Sequence, residues 1–506
     1  MAEQIDIASR FVSGAFFVLS PRAGAFSSDM LDEALKPRSE DGTPQSSDGL
    51  VWTREGYRST LKDALLVMIR NAKRKIFIAS FRFGDDELFE ELFAAVDRLR
   101  GSVYVITLLD EQSLARGLAE ADDDDAGDKQ ALAKRFGPLV ERGLYVRGHD
   151  SCHAKFIVVD DEIALVSSAN LESSAFTRTT EVGVIVREKA EVLRVARLYA
   201  RLWHECTWEV APGGAYTVAK RGKTPPSFTT IPQPASRQCA LWTHGSVHSI
   251  LKASRDTILA AERDLLLASF SLEGMADKRD LLLTAVERFR KEKRGRVRLL
   301  VRARNHLPSH RRDAAEFAEL GCTVLADGVN HAKCVIADGK EAVLFSANFD
   351  AKHGLTSGVE AGVRLVEPRL VRGATTFFEM LLRAAPMKLE LSPSHRTLQM
   401  LAASWARPWP DGSPVNVRVS DADWKALTSL EPGLPVLFEQ GTDGRTTLFA
   451  GRNVLFLEGS TGTSPARIER GPAGGVDSAA TLETWMVAKT PGAWARGFCA
   501  ATFVRV

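Results

Sequence analysis

Two stretches of the chain carry the same set of reactive side chains at the same spacing. One begins at His153-Ala-Lys155 and the other at His331-Ala-Lys333. In each, an aspartate follows the lysine by five positions, a serine follows the aspartate by eight, and an asparagine follows the serine by two. These downstream residues are Asp160, Ser168 and Asn170 in the first copy and Asp338, Ser346 and Asn348 in the second. The set suits a phosphodiester, because ammonium and amide groups hold anionic oxygens while one imidazole attacks phosphorus and another protonates the leaving oxygen.

Each copy is predicted to form a β-hairpin that brings its side chains together. Apolar, β-branched runs flank a short charged turn in both copies, which is typical of paired buried strands. The predicted strands are 156–159 with 163–166, and 334–337 with 342–345. Side chains two positions apart on a strand point to one face, so the histidine and lysine of each copy project together. The repetition therefore predicts one active site assembled from two related halves.

The pattern resembles the HxKxxxxD signature of the phospholipase D superfamily, together with the serine and asparagine that commonly follow it. The resemblance covers residues 50–390 and departs where the glycine often found before the serine is Ser167 in one copy and Phe345 in the other. The family includes phospholipases, phosphatidyltransferases, cardiolipin synthases, tyrosyl-DNA phosphodiesterases and nucleases. It implies a two-step displacement through a phosphohistidine, without a metal or another cofactor.

The resemblance also implies a role for each residue. The N-terminal copy usually supplies the nucleophile, so we expect His153 to attack and His331 to act as acid and base. Charge on the non-bridging oxygens is expected to be stabilised by Lys155, Lys333, Asn170 and Asn348. Glu181 and Glu360 stand where the family often has an acid, and each is expected to accept a hydrogen bond from the opposing imidazole. Supporting roles are expected for Asp160, Ser168, Glu181, Asp338, Ser346 and Glu360, the two aspartates as orienting residues at turns.

The elements around the two copies repeat in the same order. The predicted helices are 57–73, 85–100, 128–142 and 188–206 in the first half, and 246–262, 277–292, 309–320 and 367–384 in the second. Even the first strands end alike, in Ala79-Ser-Phe81 and Ala268-Ser-Phe270. This alternation predicts an α/β fold of two similar α/β/α halves packed as a pseudo-dimer, each with a largely parallel sheet covered by helices.

Five segments are predicted along the chain. They are an N-terminal segment (1–50), a first repeat (51–210), a linker (211–240), a second repeat (241–390) and a β-rich accessory domain (391–506). The apolar patch at 11–19 is interpreted as a strand. Five of the nine tryptophans fall in the last segment, at 405, 409, 424, 485 and 494. Such residues are expected to form the core of a small β domain rather than a base-stacking platform, and that domain to set the choice of substrate or partner protein.

The halves differ after their second strands. The first half carries an acidic run at 120–128, which is either a solvated loop or a gate that mimics a polyanion in the cleft. The second half instead carries a basic cluster of Arg302, Arg304, Arg311 and Arg312. This cluster is expected to bind phosphates that flank the scissile one, unless it is only the salt-bridged start of a helix.

Composition is that of an ordinary globular protein. The chain is 45% hydrophobic and 26% charged, and its net charge of +2 does not indicate a nucleic-acid-binding protein. Six cysteines without a CxxC pair predict reduced thiols and no zinc site. The apolar patch at 11–19 is too short to span a bilayer, and acidic residues precede it where a signal peptide would be basic. A cytoplasmic location without stable membrane insertion is therefore predicted.

Three functions are compatible with these features. The favoured hypothesis is a nuclease acting on DNA or RNA, because of the cytoplasmic profile, the absent membrane segment, the basic cluster and the added C-terminal domain. Several family members of this kind resemble nucleases of bacterial defence and restriction systems, which gives this hypothesis a context. The alternative is a phospholipase D or phosphatidyltransferase, for which the sequence offers no secretion signal, membrane helix or interfacial face. A binding module with a retired site is opposed by the intact motifs. Two motif copies let a monomer be complete, although a homodimer and a partner protein on the C-terminal domain stay open.

Overall fold

A computed structural model describes residues 3–6, 15–20, 49–108, 136–211, 217–222, 224, 230–304, 308–393 and seven strands between 415 and 505. The acidic run at 120–128, part of the linker and Trp405, Trp409, Trp424 and Trp494 lie outside these residues, as does the side chain of Trp485. No helix in the described part of the chain is long and apolar enough to cross a membrane.

Two N-terminal strands, β1 (Glu3–Asp6) and β2 (Phe16–Leu19), join sheets that later parts of the chain form. The first half then builds a nine-stranded sheet in the order β13-β12-β7-β6-β4-β8-β9-β11-β3. The strands from this part of the chain are β3 (Leu50–Thr53), β4 (Ile76–Ala79), β5 (Phe83–Gly84), β6 (Val103–Thr107), β7 (Tyr145–Gly148), β8 (Phe156–Val159), β9 (Ile163–Ser167), β10 (Leu171–Glu172), β11 (Glu181–Val186), β12 (Trp208–Ala211) and β13 (Thr217–Lys220). The helices are α1 (Thr60–Asn71), α2 (Asp86–Arg98), α3 (Ser173–Thr177) and α4 (Lys189–Glu205), and residues 136–141 are also helical.

The second half repeats this plan in a ten-stranded sheet, ordered β15-β14-β23-β21-β20-β16-β18-β19-β24-β2. Its strands are β14 (Cys239–His244), β15 (Val247–His248), β16 (Asp264–Ser269), β17 (Leu272–Glu273), β18 (Arg296–Arg302), β19 (Thr323–Asp327), β20 (Cys334–Ala337), β21 (Glu341–Phe345), β22 (Phe349–Asp350), β23 (Glu360–Leu365) and β24 (Met387–Glu390). Its helices are α5 (Ser249–Ala260), α6 (Leu283–Lys293), α7 (Pro308–Glu319) and α8 (Pro368–Ala384).

The predicted α/β class is confirmed, but the prediction of largely parallel sheets is wrong. The short two-stranded pairs β5–β10 and β17–β22 are parallel. Among the described strands of the nine- and ten-stranded sheets, however, only three adjacent strands run parallel: β4, β6 and β7 in the first, and β16, β18 and β19 in the second. The other pairings are antiparallel, because the motif hairpins β8–β9 and β20–β21 return through tight turns and a further strand follows each antiparallel to it. Counting helices and strands could not reveal that the motif occupies an antiparallel extension.

Local signals account for the helices that frame each sheet. Ser59 caps α1 by accepting a hydrogen bond from the Lys62 amide, and Asp85 caps α2 by accepting one from the Leu88 amide. The described part of the helix predicted at 128–142 is helical from 136 to 141. The apolar faces of α1 and α2 are buried against the outer face of the first sheet.

The two halves share a hydrophobic core. It contains α4 and α8 together with the inner faces of both sheets, including Phe156 and Val158 from β8 and Cys334 and Ile336 from β20. Two main-chain bridges cross the same boundary, Cys152 with Val359 and Thr180 with Asn330. The halves are thus fixed to each other beside the motif histidines.

The C-terminal strands form a separate eight-stranded sheet with β1, in the order β1-β28-β27-β26-β30-β31-β25-β29. They are β25 (Val415–Val419), β26 (Val436–Gln440), β27 (Thr446–Ala450), β28 (Asn453–Leu457), β29 (Arg467–Arg470), β30 (Thr481–Lys489) and β31 (Phe498–Arg505). Strands β26 and β27 are neighbours in this sheet and pair antiparallel. The strand predicted at 11–19 is present as β2, at the edge of the second sheet.

Candidate active site

The two motif histidines lie on opposite sides of the boundary between the halves. His153 precedes β8, and its amide donates to the carbonyl oxygen of Val359 at 2.9 Å. His331 precedes β20, and its amide donates to the carbonyl oxygen of Thr180 at 3.0 Å. Each imidazole is therefore fixed by the main chain of the other half, and the two motif copies meet at one site.

Each imidazole is also held by a carboxylate of the other half. The Nδ1 atom of His153 lies 2.8 Å from Oε1 of Glu360, and Nδ1 of His331 lies 2.7 Å from Oε1 of Glu181. The hydrogen bonds predicted between each acid and the opposing imidazole are thus present. With Nδ1 donating to a carboxylate, the lone pair of each ring belongs to Nε2, on the opposite edge.

The motif serines hold these carboxylates in place. Ser168 donates through Oγ to the second oxygen of Glu181, and Ser346 does the same to Glu360. Each hydroxyl also accepts a hydrogen bond of 3.0 Å from the main-chain amide that follows the glutamate. The serines therefore orient the acids rather than point at a substrate.

Lys155 and Lys333 are fully buried beside the imidazoles. Nζ of Lys155 donates to the carbonyl oxygen of His153 at 2.6 Å. Nζ of Lys333 has no hydrogen-bond partner among the residues that the structure describes. A buried ammonium without an acceptor is costly, so Lys333 is suited to receive an anionic oxygen.

Asn170 and Asn348 complete the set. Nδ2 of Asn170 donates to Glu172 at 3.2 Å, while the amide oxygens of both asparagines are buried without a partner in the described part of the chain. Amide groups with unused hydrogen-bonding capacity are expected where a polar ligand binds.

Burial and charge shift the pKa of every titratable group at this site. Burial lowers the pKa of His153, and it lowers that of His331 to about 4 although Glu181 opposes the shift. Burial likewise lowers the pKa of Lys155 to about 8 and that of Lys333 to about 7. Both imidazoles are therefore neutral at pH 7, and Lys333 titrates near neutrality.

The two carboxylates remain ionised despite their burial. Burial alone would raise the pKa of Glu181 and Glu360, but the charge and hydrogen bond of the partner histidine outweigh it, with help from a lysine and a serine. The pKa of each falls to about 2. An ionised carboxylate can stabilise the imidazolium that forms when its partner takes up a proton.

The motif aspartates lie away from the reactive groups and fix the hairpin turns. Asp160 has a φ of 57° and its carboxylate accepts hydrogen bonds from the amides of residues 73, 74 and 75, at 2.7–2.9 Å. Asp338 has a φ of 53° and accepts three equivalent bonds of 2.8 Å from the amides of residues 262, 263 and 264. Three backbone donors also lower the pKa of each aspartate against the opposing effect of burial.

Two phenylalanines at the site were not singled out by sequence reasoning. The ring of Phe81 packs edge-on against His153, with 5.0 Å between ring centroids, and Phe270 packs in the same way against His331, at 4.9 Å. The repeated Ala-Ser-Phe segments were the available signal, and they had been used only to align the two halves. Each ring also lies within 6 Å of the lysine Nζ of its own half.

The basic cluster divides into two parts. Arg302 and Arg304 lie over the ring of Phe270, at 5.3 and 4.5 Å from its centroid, beside His331. The prediction that Arg311 and Arg312 bind substrate is wrong. Arg311 is buried over Phe16 of β2 and donates to the carbonyl oxygen of Ala15 at 3.1 Å.

Arg312 is used in an ion pair instead. Its Nη2 atom lies 2.6 Å from Oδ2 of Asp277 and 3.7 Å from Oδ1 of Asp313. Successive residues of a helix point about 100° apart, so neighbours on α7 do not all face the site that precedes the helix. The salt-bridged helix start thus describes Arg312, whereas Arg311 packs against β2.

Parts of the chain are similar to known proteins. Residues 65–203, which contain the first motif copy and Glu181, match the family model described as "Cardiolipin synthase, PLD-like domain". Proteins named Cardiolipin synthase 2 from two strains of Staphylococcus epidermidis are 28% identical over 133 residues, which are 26% of this chain. The match spans about a quarter of the length of those relatives.

The solved structures that match the chain have lower sequence identity. Phosphatidylserine synthase of Haemophilus influenzae Rd KW20 is 13% identical, with a TM-score of 0.47 and coverage of 77% of this chain and 93% of that one. Nuc, a phospholipase D family member from Salmonella typhimurium, is 17% identical, with a TM-score of 0.25 and coverage of 31% and 95%. The duplicated motif, its crossed histidine–glutamate pairs and the family-model match over residues 65–203 support membership of the phospholipase D superfamily.

Proposed function

We propose that the protein cleaves or transfers a phosphodiester of a phospholipid, through a covalent phosphohistidine. The observation that carries the proposal is the pair of crossed hydrogen bonds, His153 to Glu360 and His331 to Glu181. They hold one imidazole from each half at the same site, and a two-step displacement requires two such groups. The phospholipid is supported by the match of residues 65–203 to a cardiolipin synthase domain and by relatives of that name.

In the first step Nε2 of His153 forms a bond to phosphorus while the bond to the leaving oxygen breaks. The electron pair passes to that oxygen, which takes a proton from Nε2 of His331. In the second step His331 removes a proton from water or an alcohol, and that oxygen displaces His153 from phosphorus. Water gives hydrolysis, whereas an alcohol gives transfer.

The remaining groups would stabilise charge. The ammonium groups of Lys155 and Lys333 and the amides of Asn170 and Asn348 would bind the non-bridging oxygens, which gain charge in each transition state. Two buried lysines supply the positive charge that a metal ion supplies in other phosphodiesterases. The reaction is therefore expected to proceed in EDTA.

The proton donor must be charged when the substrate is bound. Since the pKa of His331 is about 4 in the free protein, the negative charge of a bound phosphodiester has to raise it. His153 has the larger exposed fraction of the two side chains, 29% against 15% for His331, which fits the role of attacking group.

A nuclease is the second candidate, and one observation favours it. Arg302 and Arg304 lie against Phe270 beside the site, where they could contact further phosphates of a nucleic-acid chain. The cytoplasmic and defence context expected from the sequence would belong to this candidate.

One experiment tests both candidates. Purified protein is incubated in EDTA with mixed micelles of phosphatidylglycerol or cardiolipin, and separately with plasmid, single-stranded DNA and RNA. His153→Ala serves as the inactive control and the surface variant Glu162→Gln as the matched one. We expect phosphatidyl transfer or release that depends on His153. Cleavage of nucleic acid alone would replace the lipid proposal with the nuclease, and residual lipid turnover within about tenfold of normal in His153→Ala would contradict the assigned nucleophile.

A further inference from the structure

The two ends of the candidate active site differ in charge although the fold around them is repeated. The repeated Ala-Ser-Phe segments align the halves, and the strands beside them pair in the same register, with Ile106 equivalent to Leu300. Two positions further on, the first half has Leu108 where the second half has Arg302. The residues at such aligned positions therefore show how the charge differs between the two ends of the site.

Two more aligned positions differ in charge, one in the opposite sense and one in the same sense. Through the next strand of each sheet, His149 in the first half is equivalent to Asp327 in the second. Arg54 and His244 are also equivalent, because the threonine before each pairs with the glutamate that binds a motif histidine. Arg54, Asp327 and Arg302 thus belong to the end of the site at His331, and His244 and His149 to the end at His153.

The His331 end carries donors without acceptors. Nη1 of Arg54 and Nζ of Lys333 are both buried and lack a hydrogen-bond partner among the described residues. Arg302 donates through Nε to the carbonyl oxygen of Gly328 at 2.9 Å, which fixes the guanidinium over Phe270. Its charge lowers the pKa of Lys333, after the larger effect of burial and those of the other site residues.

The carboxylate at this end is already engaged. Oδ1 of Asp327 accepts hydrogen bonds from the amides of Val329 and Asn330, at 3.0 and 2.5 Å. Burial raises the pKa of Asp327 more than Arg54 and Arg302 lower it. Asp327 therefore shapes the turn before His331, and positive charge remains at this end of the site.

The His153 end also carries an arginine, Arg82 over Phe81, but carboxylates lie beside it. Glu205 lies 2.7 Å from Nε2 of His244 and 3.9 Å from Nε2 of His149. Glu172 accepts a hydrogen bond from Asn170 and raises the pKa of Lys155. A second anionic group would be repelled here and attracted at the other end.

We propose that Arg54 and Arg302 form a subsite for a second phosphate, carried by the group whose oxygen leaves or enters at His331. This deepens, and rests on, the proposed function: the substrate is then a phospholipid whose leaving or accepting group is itself a phosphate ester. The proton donor and the leaving oxygen meet in the first step, so that group occupies the His331 end. A nucleic-acid strand fits less well, because it places a phosphate at both ends.

The first test measures binding with soluble headgroup fragments. Glycerol 1,3-bisphosphate and glycerol 3-phosphate are titrated calorimetrically into the full-length protein at fixed ionic strength. We expect the bisphosphate to bind at least about tenfold more tightly, and this ratio to fall about tenfold in Arg302→Gln and in Arg54→Gln. Arg82→Gln is the matched control, since Arg82 lies over Phe81 at the other end. Equal affinities in the unmodified protein, or a ratio that survives both substitutions, would overturn the subsite.

The second test measures turnover of cardiolipin, phosphatidylglycerol and a short DNA in EDTA. We expect a preference for cardiolipin, whose leaving group carries a phosphate, that decreases in Arg302→Gln and Arg54→Gln and persists in Arg82→Gln. Equal turnover of both lipids would remove the subsite and leave the proposed function standing. If no lipid reacts while the bisphosphate preference depends on Arg302, the proposed function fails and the subsite stands. Preferential cleavage of DNA would overturn the phospholipid assignment.

Discussion

His153 and Glu360 are 207 positions apart in the sequence, and their side chains meet at 2.8 Å. Glu181 binds His331 in the opposite sense, at 2.7 Å. Each imidazole therefore takes its orientation from the half of the protein to which it does not belong, and a functional site requires both halves in register.

The Glu360→Gln substitution tests the importance of this contact. A glutamine can donate its amide hydrogen to Nδ1 of His153, which moves the ring proton to Nε2 and removes the attacking lone pair. We expect kcat to fall about 10²–10⁴-fold with little change in KM. The effect is measured by steady-state kinetics on whichever substrate the turnover experiment identifies.

The matched control is Glu162→Gln, at a glutamate whose side chain is 66% exposed. It should retain normal kinetics. Activity of Glu360→Gln within about threefold of normal would show that the carboxylate does not govern the tautomer.

The pH dependence of kcat/KM should be bell-shaped. Activity is lost as the pH falls through the lowered pKa of His153, because the attacking nitrogen becomes protonated. Activity is also lost as the pH rises through about 7, because Lys333 gives up its charge. In Lys333→Arg the alkaline limb should move upward, toward the pKa of about 8 of Lys155. An alkaline limb that stays in place would exclude Lys333 as its origin.

The buried ammonium of Lys333 should cost stability. Its pKa is about 7 in the folded protein and about 10.4 when unfolded, so the cost is fully present below pH 7 and disappears as the pH rises toward 10.4. We expect Lys333→Met to be inactive and more stable at pH 7. That gain should shrink by about 1–3 kcal/mol between pH 7 and pH 9. Urea unfolding of both proteins at the two pH values measures it, and a gain independent of pH would contradict the assignment.

The two motif aspartates should act on stability rather than on chemistry. In Asp338→Asn one of the two acceptor oxygens, which together receive three amide hydrogen bonds, is replaced by a donor. We expect a loss of about 1–3 kcal/mol in the free energy of unfolding, with kcat nearly unchanged where the variant is folded. Asp256→Asn, on the surface of α5, should show neither effect. A large fall in kcat at normal stability would make Asp338 a participant in the reaction.

Arg311 should prove to be structural. Its guanidinium is buried over Phe16 and bonded to the main chain beside β2. We expect Arg311→Ala to lower the free energy of unfolding by about 1–3 kcal/mol, while KM for the folded protein changes less than twofold. The exposed Arg288, paired with Glu292 one turn away, is the control. A rise in KM at unchanged stability would return Arg311 to the substrate site.

Most of the candidate site could be predicted because chemistry restricts both residue type and spacing. His153, Lys155 and their repeats are identifiable from the sequence because the same residue types recur at the same spacing in both halves. The contact of Phe81 with His153 could not be predicted, since it depends on how β4 lies beside β8. The buried position of Arg311 could not be predicted for a similar reason, because packing against β2 sets the rotation of α7 about its axis.

The sequence pattern also could not predict which strands of each sheet run parallel and which antiparallel. Alternating helices and strands correctly indicated an α/β fold, yet only three adjacent strands of each large sheet run parallel. Strands β11 and β23, which present Glu181 and Glu360, each pair on one side with a strand from a distant part of the chain, β3 and β14. Lateral neighbours of that kind leave no local signature.

The crossed contacts have a consequence for the growing chain. When only the first half has left the ribosome, His153 and Lys155 are already made, but the carboxylate that orients the imidazole has not been synthesised. An unfinished chain would therefore be harmless to the phosphodiesters around it. The site becomes reactive only when the second half has been synthesised and has packed against the first.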